Sequence, residues 1–425
     1  MPGSGLQLDE WLARLETYSP QEIDLGLERV ELLLERLALD LPKTVIHVAG
    51  TNGKGSSVAL LEALLRSSGK RVACYTSPHL EHYNERMRID GSDVTDAEIV
   101  TAFEQVEAQR HGVPLTYFEF GTLAALLIFA RQQVDIAVLE IGLGGRLDAV
   151  NAVEPTASLI TNVSLDHCDW LGSTVEEIAR EKAGVMRSNK PVVFAAPEMP
   201  LAIADEAASR QAQLIAASRD YHWSIEDETW TWRGQKHELR GLVKPQLAGD
   251  IQIQNAAGAL ALLEAGGFDE LLETGPVNAA LCTVTVPGRA QLVADRFVLD
   301  VAHNPAAAEA LAQTISVVAP AGVSVTILGM LDDKDVAGVV QPLAALTEHW
   351  IAVTAESPRA IDAHALASQV ADVSGGPCET ADSMRQAITR ANELAKPDEY
   401  VLVTGSFYTV GAALVILAPP RHEYG

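Results

Sequence analysis

Residues 45–57 read VIHVAGTNGKGSS, an apolar run followed at once by a glycine-rich stretch. The apolar run predicts a short buried strand, and the residues from Lys54 onward predict a helix that ends before Gly69. Glycines let the backbone turn tightly, so that N–H groups converge on phosphate oxygens. The amino end of the following helix adds positive potential there. The segment therefore predicts a site for the phosphates of a nucleotide, most simply ATP.

The spacing of this loop differs from the common phosphate-binding pattern, which places a glycine five residues before Gly53, where Val48 stands. The alternative is a glycine-rich turn without a ligand, but the lysine and the preceding strand favour phosphate binding. Lys54 is expected at the outer phosphates and Ser56 near a magnesium ion. The predicted nucleotide contacts are Gly50, Thr51, Asn52, Gly53, Lys54, Gly55 and Ser56.

Composition places the chain among globular proteins and excludes some partners. Its 425 residues are 48% hydrophobic and 21% charged, enough for two or three soluble domains. The net charge of −26 argues against nucleic acid and against a membrane surface, because both are polyanions. The four cysteines are scattered without a C-x-x-C pair, and residues 1–9 do not resemble a signal peptide. A cytoplasmic protein is expected.

The order of elements predicts an α/β protein. Strands are expected near 71–75, 135–141 and 156–161, and helices near 96–109 and 121–133. Trp223, Trp230 and Trp232 alternate with polar residues and predict a small antiparallel patch. A boundary is expected at Pro287-Gly288, before further strands near 297–301, 324–328, 350–353 and 400–403. We predict a P-loop-containing, mainly parallel sheet domain over 1–287 and a smaller doubly wound, Rossmann-like domain over 288–425.

Polar residues stand where the predicted strands of the first domain end. Glu140 closes an apolar strand, where a carboxylate is costly unless it is paired or metal-bound, so it is a candidate magnesium ligand. Ser77 follows another strand and could reach magnesium, although on its own it is better explained by a Ser-Pro turn. His167 is more simply a structural histidine. Chemistry alone makes Lys182 a salt-bridged lysine at a helix end.

The predicted second domain begins with its own candidate residues. Arg289 follows the boundary, where it could turn onto phosphates or remain a surface arginine. The run DVAHNP over residues 300–305 ends a strand and opens a helix that Asn304 caps, with Pro305 in its first turn.

Taken together, these segments resemble one known family. GTNGKGS at 50–56, SPHL at 77–80 with Glu85-Arg86 after it, YFEFGTL at 117–123 and LEIGLGGRLDAVN at 139–151 appear in that order. LDH at 165–167, EKAGV at 181–185, PGR at 287–289, DVAHNP at 300–305, GMLDDKD at 329–335 and GSF at 405–407 follow. Each motif is weak alone, but the ordered set is similar to the folylpolyglutamate synthase family of the Mur-ligase superfamily.

The resemblance implies an ATP-dependent carbon–nitrogen ligase. ATP would phosphorylate a carboxylate to an acyl phosphate, which the amine of L-glutamate attacks. The acceptors implied are dihydropteroate and reduced folates. ATP and magnesium at two sites are the implied cofactors, with a monovalent cation left open, and a monomer is the expected state.

The resemblance also assigns residues. It implies that Ser77, Glu140 and His167 hold magnesium, and that Lys182 is carbamylated and helps to bind a second magnesium ion. His303 would lie near the phosphates, as a catalytic residue with Lys54 and Lys182. Asn255, Arg289 and Asp300 match ATP contacts. The pterin-binding matches are Ile23, Asp24 and Leu25, the loop Thr116, Tyr117, Phe118 and Glu119, and Leu147, Asp148 and Ala149.

Three alternatives remain at this point. A folylpolyglutamate synthase without the dihydropteroate activity fits the same motifs. A cell-wall Mur ligase is disfavoured by the pterin-loop match and by the lack of an extra uridine-binding domain. A nucleotide-dependent switch protein would use the phosphate loop without forming a bond.

Overall fold

The apolar run before the glycine-rich loop forms a strand inside an eight-stranded sheet. The computed structural model describes residues 6–18 and 24–418. In the described chain, the strands of this sheet are β1 (Thr44–Ala49), β2 (Val72–Tyr75), β3 (Met87–Ile89), β4 (Ser92–Asp93), β5 (Ile136–Glu140), β6 (Ala157–Ile160), β7 (Pro191–Phe194) and β8 (Gln213–Ala216).

The strand order in this sheet is β4-β3-β2-β5-β1-β6-β7-β8. The six strands from β2 to β8 in that order are parallel, whereas β3 and β4 extend the β2 edge as antiparallel strands. The carboxyl ends of β1, β2, β5 and β6 therefore meet at one edge of the sheet. The segments that follow these four strands carry the glycine-rich loop, Ser77, Asp148 and His167.

Helices cover both faces of the first sheet, because its strands are apolar on both sides. On one face, Phe103, Phe120 and Phe129 are fully buried, and on the other, Leu61, Leu64 and Leu260 are. The helices of this part are α1 (Leu8–Glu16), α2 (Glu28–Leu37), α3 (Lys54–Arg66), α4 (Asp96–Arg110), α5 (Tyr117–Arg131), α6 (Cys168–Leu171), α7 (Val175–Ala183), α8 (Leu201–Arg210), α9 (Asp250–Ala265) and α10 (Thr274–Thr283).

The predicted tryptophan-rich patch is a three-stranded antiparallel sheet of β9 (His222–Glu226), β10 (Thr229–Arg233) and β11 (Glu238–Val243). Trp230 and Trp232 are fully buried against α9 and α10, whereas Trp223 is only partly buried. The alternation of tryptophan with polar residues in the sequence predicted this one-sided burial correctly.

The C-terminal sheet has the order β12-β13-β17-β14-β15-β16 and is parallel except for β12. Helices pack on both of its faces, which confirms the predicted doubly wound arrangement. Its strands are β12 (Gln291–Val293), β13 (Phe297–Leu299), β14 (Val323–Leu328), β15 (His349–Val353), β16 (Cys378–Ala381) and β17 (Tyr400–Thr404). Its helices are α11 (Pro305–Val318), α12 (Val336–Ala344), α13 (Ala363–Ser374), α14 (Met384–Leu394) and α15 (Phe407–Leu417).

Two expectations about elements were wrong or incomplete. The helix expected from residue 121 begins at Tyr117, so the segment from Thr116 to Glu119 is not a loop but a helix cap and first turn. Its T-x-x-E pattern is a capping box, in which the Thr116 side chain and the Glu119 backbone are paired. The short strands β3, β4, β7, β8, β12 and β16 had no clear period and were not expected. The boundary at residue 287 stays a prediction.

Candidate functional site

The glycine-rich loop turns sharply between β1 and α3. Gly50 and Gly53 have φ angles of +142° and +84°, which favour glycine. A side chain at Gly50 would collide with Thr161, and one at Gly53 would lie 2.6 Å from Asn255 Oδ1. The backbone N–H of Asn52 donates to Asn162 Oδ1 at 3.0 Å, which fixes the loop on the strand next to it. Gly50 and Gly53 are therefore required by their positive φ angles and by the lack of room for a side chain.

Two lysines converge on this loop. Lys54 Nζ donates to the carbonyl oxygens of Gly50 and Thr51, both at 3.2 Å. Lys182 Nζ donates to the same Gly50 carbonyl at 2.9 Å. Burial, reinforced by the charge of Lys54, lowers the pKa of Lys182 to about 7. The expectation of a salt-bridged lysine was wrong, because within the described residues Lys182 pairs with a carbonyl and has no ion pair.

Glu140 and Ser77 come together beside the loop. Glu140 is 5% exposed at the end of β5, and its Oε2 accepts the backbone N–H of Ser77 at 3.4 Å. Burial raises the pKa of Glu140 to about 7, although Lys54 and the Ser77 N–H oppose that shift. This carboxylate faces the start of α3, 3.8 Å from where a side chain on Gly55 would begin.

The donor set beside the loop fits a magnesium ion. Glu140 has a carboxylate with few partners, and the hydroxyl of Ser56 is buried without a hydrogen bond. Magnesium prefers such oxygen ligands and keeps several waters, so it does not need a closed protein cage. In the described part of the chain, no three His, Cys, Asp or Glu side chains form a cage for a metal ion.

His167 lies at a different junction. Its ring is within 4.0 Å of the carboxylates of Asp166 and Asp333 and 3.5 Å from Lys334 Nζ. Burial lowers its pKa to about 4 against the two carboxylates, so the imidazole is neutral at pH 7. A neutral imidazole is the form that binds metals. The contacts with Asp333 and Lys334 were not expected from the sequence.

The candidate residues of the C-terminal sheet are held by their own backbone. Asp300 accepts N–H groups of Ala290 and Ala302, both at 2.8 Å. His303 Nδ1 lies 2.8 Å from the carbonyl oxygen of Val301. Because that oxygen can only accept, Nδ1 carries a hydrogen and Nε2 faces the site. Arg289 lies against the ring of Phe407. Burial raises the pKa of Asp300, and the charge of Arg289 opposes that rise there and at Glu140, so Arg289 acts on carboxylates of both sheets.

Asp166 joins the two halves of the site. Its Oδ1 accepts from Lys334 Nζ at 2.7 Å, and its Oδ2 accepts from Asn304 Nδ2 at 3.0 Å and lies 3.5 Å from His303 Nε2. Asn304 also exchanges two hydrogen bonds of 3.0 Å with Asn52 of the phosphate loop. Four sequence motifs that are far apart in the chain thus meet around Asp166 and Asn304. Asn304 also caps α11, as predicted.

Asn255 lies on α9, directly beside the phosphate loop. Its Nδ2 donates to Gln252 at 3.0 Å, while its Oδ1 is buried without a hydrogen bond. A cavity opens here, lined by Ser56, Leu60, Pro245, Leu247, Gln252, Asn255, Leu281 and Val284. An orphaned acceptor beside a cavity suits a ligand that donates hydrogen bonds.

The predicted pterin segments meet around α2, except that Ile23 lies outside the described residues. Helix α2 packs against α5, which begins at Tyr117, and against the 3₁₀ turn Ala149–Ala152. Asp148 is buried and accepts the N–H groups of Leu143 and Val150, which shapes that turn. Leu147 is half-buried beside it. The structure therefore brings the three segments to one region.

An aromatic cluster borders the same region. Phe118 lies 6.0 Å from Tyr75 between ring centroids and contacts the backbone at Gly142. Arg86 is buried and stacks over Tyr83 and Tyr117 at 5.2 and 5.5 Å. In the sequence Arg86 follows two polar residues in the run NER, and such a context gives no sign of this burial.

Family models match both parts of the chain. Residues 48–263 match the Mur ligase middle domain, and residues 288–407 match the Mur ligase, glutamate ligase domain. In the described part of the chain, none of the helices combines the length and the apolar character that a membrane crossing requires.

Curated relatives and solved structures match the chain over nearly its full length. The dihydrofolate synthase/folylpolyglutamate synthase of Escherichia coli K12 is 39% identical, covering 99% of this chain and 98% of the relative. The structure of E. coli FolC in complex with DHPP and ADP has a TM-score of 0.90 at 39% identity, covering 98% and 99% of the two chains. A bifunctional folylpolyglutamate synthase/dihydrofolate synthase with Mn, AMPPNP and L-glutamate bound has a TM-score of 0.89, with the same identity and coverage.

Proposed function

The chain belongs to the dihydrofolate synthase/folylpolyglutamate synthase family of Mur ligases, and we propose that it joins L-glutamate to dihydropteroate and to reduced folates at the expense of ATP. The observation that carries the proposal is that Lys54 and Glu140 lie at one phosphate loop, and that Asn52 of the same loop is hydrogen-bonded to Asn304 of the C-terminal part. The phosphate loop supplies the groups that bind ATP, and the C-terminal part closes the other side of the site.

The first step is the activation of a carboxylate, which is a poor electrophile until it is phosphorylated. The loop N–H groups and Lys54 bind and neutralise the outer phosphates of ATP, so that the acceptor carboxylate can attack the terminal phosphorus atom. Arg289 adds a positive charge from the second sheet. An acyl phosphate forms and ADP is left.

The metal site is the second part of the proposal. Ser77, Glu140, His167 and a carbamylated Lys182 would hold two magnesium ions, and magnesium, when bound, neutralises phosphate charge. Glu140 contributes its carboxylate, and Lys182 becomes an oxygen donor only when its neutral amine has added carbon dioxide. The lowered pKa of Lys182 supports that chemistry, because the neutral amine is populated near pH 7.

The second chemical step is attack by the glutamate amine on the acyl phosphate, which forms the amide and releases phosphate. The amine must lose a proton. The Nε2 atom of His303 faces the site beside Asp166 and is placed to interact with the phosphates or with that proton. The Asp166 junction closes the two sheets over the site, which keeps water from the acyl phosphate.

Acceptor and nucleotide contacts complete the proposal. Asn255, Arg289 and Asp300 would contact ATP, and the segments around Asp24, Tyr117 and Asp148 would enclose the pterin. The action on reduced folates, a monomeric state and a cytoplasmic location belong to the proposal as well. The family names, the glutamate ligase domain and the matching geometry support it.

The test is the incorporation of radiolabelled glutamate with ATP, using dihydropteroate and tetrahydrofolate as separate acceptors. We expect product with each acceptor and phosphate release that depends on both acceptor and glutamate. Activity with tetrahydrofolate alone would make the enzyme monofunctional. The absence of incorporation with either acceptor would contradict the proposal and favour a nucleotide-binding switch.

A further inference from the structure

Arg29, in the first turn of α2, uses every nitrogen of its guanidinium group on two predicted pterin segments. Its Nε donates to Glu119 Oε1 at 2.9 Å, and its Nη2 lies 2.9 Å from the same oxygen. Its Nη1 lies 2.8 Å from Asp24 Oδ2, and Nη2 also donates to the Asp24 carbonyl at 2.7 Å. One side chain therefore ties residue 24 to the start of α5.

The two ends of this bridge differ in burial. The Glu119 side chain is 3% exposed, whereas that of Asp24 is 42% exposed. Glu119 is also committed to the capping box, because its Oε2 accepts the backbone N–H of Thr116 at 2.7 Å. Arg29 is thus anchored on a buried carboxylate that is already hydrogen-bonded to the backbone, and it reaches outward to a surface-exposed one.

We propose that Arg29 is a positioning residue for the pteroate acceptor, an inference that rests on the proposed function. It holds the segment at Asp24 and Leu25 against Thr116 and Tyr117, so that these segments are already in place when the pterin arrives. Preorganisation of this kind lowers the cost of ordering a binding segment and acts on affinity for that ligand. Among the described residues, the hydrogen bonds and ion pairs of Arg29 go to Asp24 and Glu119 and none goes to the phosphate loop, so we expect nucleotide affinity to be unaffected by its loss.

The fork of the guanidinium explains why arginine stands here. Arginine can serve one carboxylate with two parallel nitrogens and a second carboxylate with the remaining one, whereas lysine offers a single point charge. Arg29→Lys is therefore expected to keep the positive charge but to form only some of the hydrogen bonds to Glu119 and Asp24. Arg29→Gln removes the charge and leaves Glu119 buried beside a neutral group.

The test compares Arg29→Gln, Arg29→Lys and Arg36→Gln in the full-length protein. Arg36 is the matched control, because it is exposed on the same helix and donates to the carbonyls of Gln109 and Arg110, away from the pterin segments. KM values are measured separately for dihydropteroate, ATP and glutamate, and equilibrium binding of dihydropteroate is measured alongside.

Loss of a charge-assisted bridge corresponds to about a tenfold or greater effect, so Arg29→Gln should raise KM and Kd for dihydropteroate by at least that factor. Arg29→Lys should fall between Arg29→Gln and wild type, and Arg36→Gln should match wild type. KM for ATP should stay within about twofold in all three. Glu119→Gln should add little to Arg29→Gln, because both changes break one bridge.

An unchanged dihydropteroate affinity in Arg29→Gln, or a parallel rise in KM for ATP, would overturn the inference. A merely structural role predicts that parallel rise together with a lower melting temperature. The binding measurement separates the two proposals: a wild-type protein that binds dihydropteroate without incorporating glutamate contradicts the proposed function, while the Arg29 comparison still decides the inference. A wild-type protein that does not bind dihydropteroate overturns both.

Discussion

The phosphate-loop half of the site and the C-terminal half use charge in opposite ways. Beside the loop, Glu140 has one backbone N–H at 3.4 Å and Lys182 has one carbonyl, although both side chains are buried. In the C-terminal half, Asp300 accepts two backbone N–H groups at 2.8 Å and Asn304 caps a helix. The first half leaves its charges nearly unpaired, and the second satisfies its polar groups internally.

The difference indicates a division of labour. A buried charge with few partners is costly and is retained where a ligand or metal completes it, so the loop half is where the chemistry takes place. Polar groups whose hydrogen bonds are all made hold a fixed geometry. The C-terminal half therefore offers a rigid surface, which contacts Asp166 and Asn52 through Asn304. The following predictions test this division, from the largest expected effect to the smallest.

Removing the loop lysine should have the largest effect. Lys54→Ala takes away the charge closest to the outer phosphates, so glutamate incorporation should fall about a thousandfold or more. Steady-state incorporation of radiolabelled glutamate measures the loss. Lys70→Ala is the control, because Lys70 is an exposed lysine just beyond the same helix and should keep wild-type activity. Retention of more than a tenth of wild-type turnover by Lys54→Ala would place the chemistry elsewhere.

Lys182 should give the next largest effect and a pH dependence. Burial and the charge of Lys54 lower its pKa to about 7, so the protonated form dominates below that pH and the neutral amine above it. Only the neutral amine adds carbon dioxide. Uptake of labelled carbon dioxide, followed by NMR, should therefore rise between about pH 6 and about pH 8.

Lys182→Arg is the companion variant. Arginine keeps its charge throughout this range, so the variant should take up no label and lose about a hundredfold in incorporation. Equal uptake at both pH values, or an active Lys182→Arg enzyme, would contradict the proposal that Lys182 is carbamylated.

The C-terminal half should respond more weakly. Lys334→Met breaks the buried pair with Asp166 but leaves the loop intact, so kcat should fall about 10- to 100-fold. Solution scattering with an ATP analogue and dihydropteroate should then show a more open particle than wild type. A variant with normal kcat and normal scattering would show that Lys334 does not hold the halves together.

An exposed ion pair of the C-terminal domain should have almost no effect. Arg390 pairs with Glu379 on the surface, and both side chains are more than 40% exposed. Arg390→Gln should leave both the melting temperature and glutamate incorporation essentially unchanged, because an exposed ion pair contributes little to stability. Thermal unfolding and the glutamate assay measure both. A loss comparable to that of Lys334→Met would mean that any charge change in this domain impairs activity.

The parts of the site that the sequence predicted are local. The loop at 50–56 and the Asn304 cap each lie within a few consecutive residues, so strand, turn and helix rules sufficed. The alternation of strands and helices likewise predicted both parallel sheets. The predicted start of α5 is four residues late, because the start is marked by the capping box of Thr116 and Glu119 and not by the hydrophobic period.

The parts that the sequence did not reveal depend on distant contacts. Asp166 meets Lys334 across 168 positions of the chain, and Arg29 meets Glu119 across 90. Lys182 stands at a helix end, where solvent exposure is the ordinary expectation, and its burial follows from how α7 packs beside the loop. No local period encodes such contacts, because each depends on how elements far apart in the chain pack against one another.

The central claim is that the loop half phosphorylates the acceptor carboxylate before glutamate attacks. The most direct measurement uses dihydropteroate whose carboxylate carries a heavy oxygen isotope, with ATP and glutamate, and analyses the released phosphate by mass spectrometry. The account predicts that each phosphate released carries one heavy oxygen atom, because an acyl phosphate transfers it. Formation of the glutamate product with unlabelled phosphate would contradict the account.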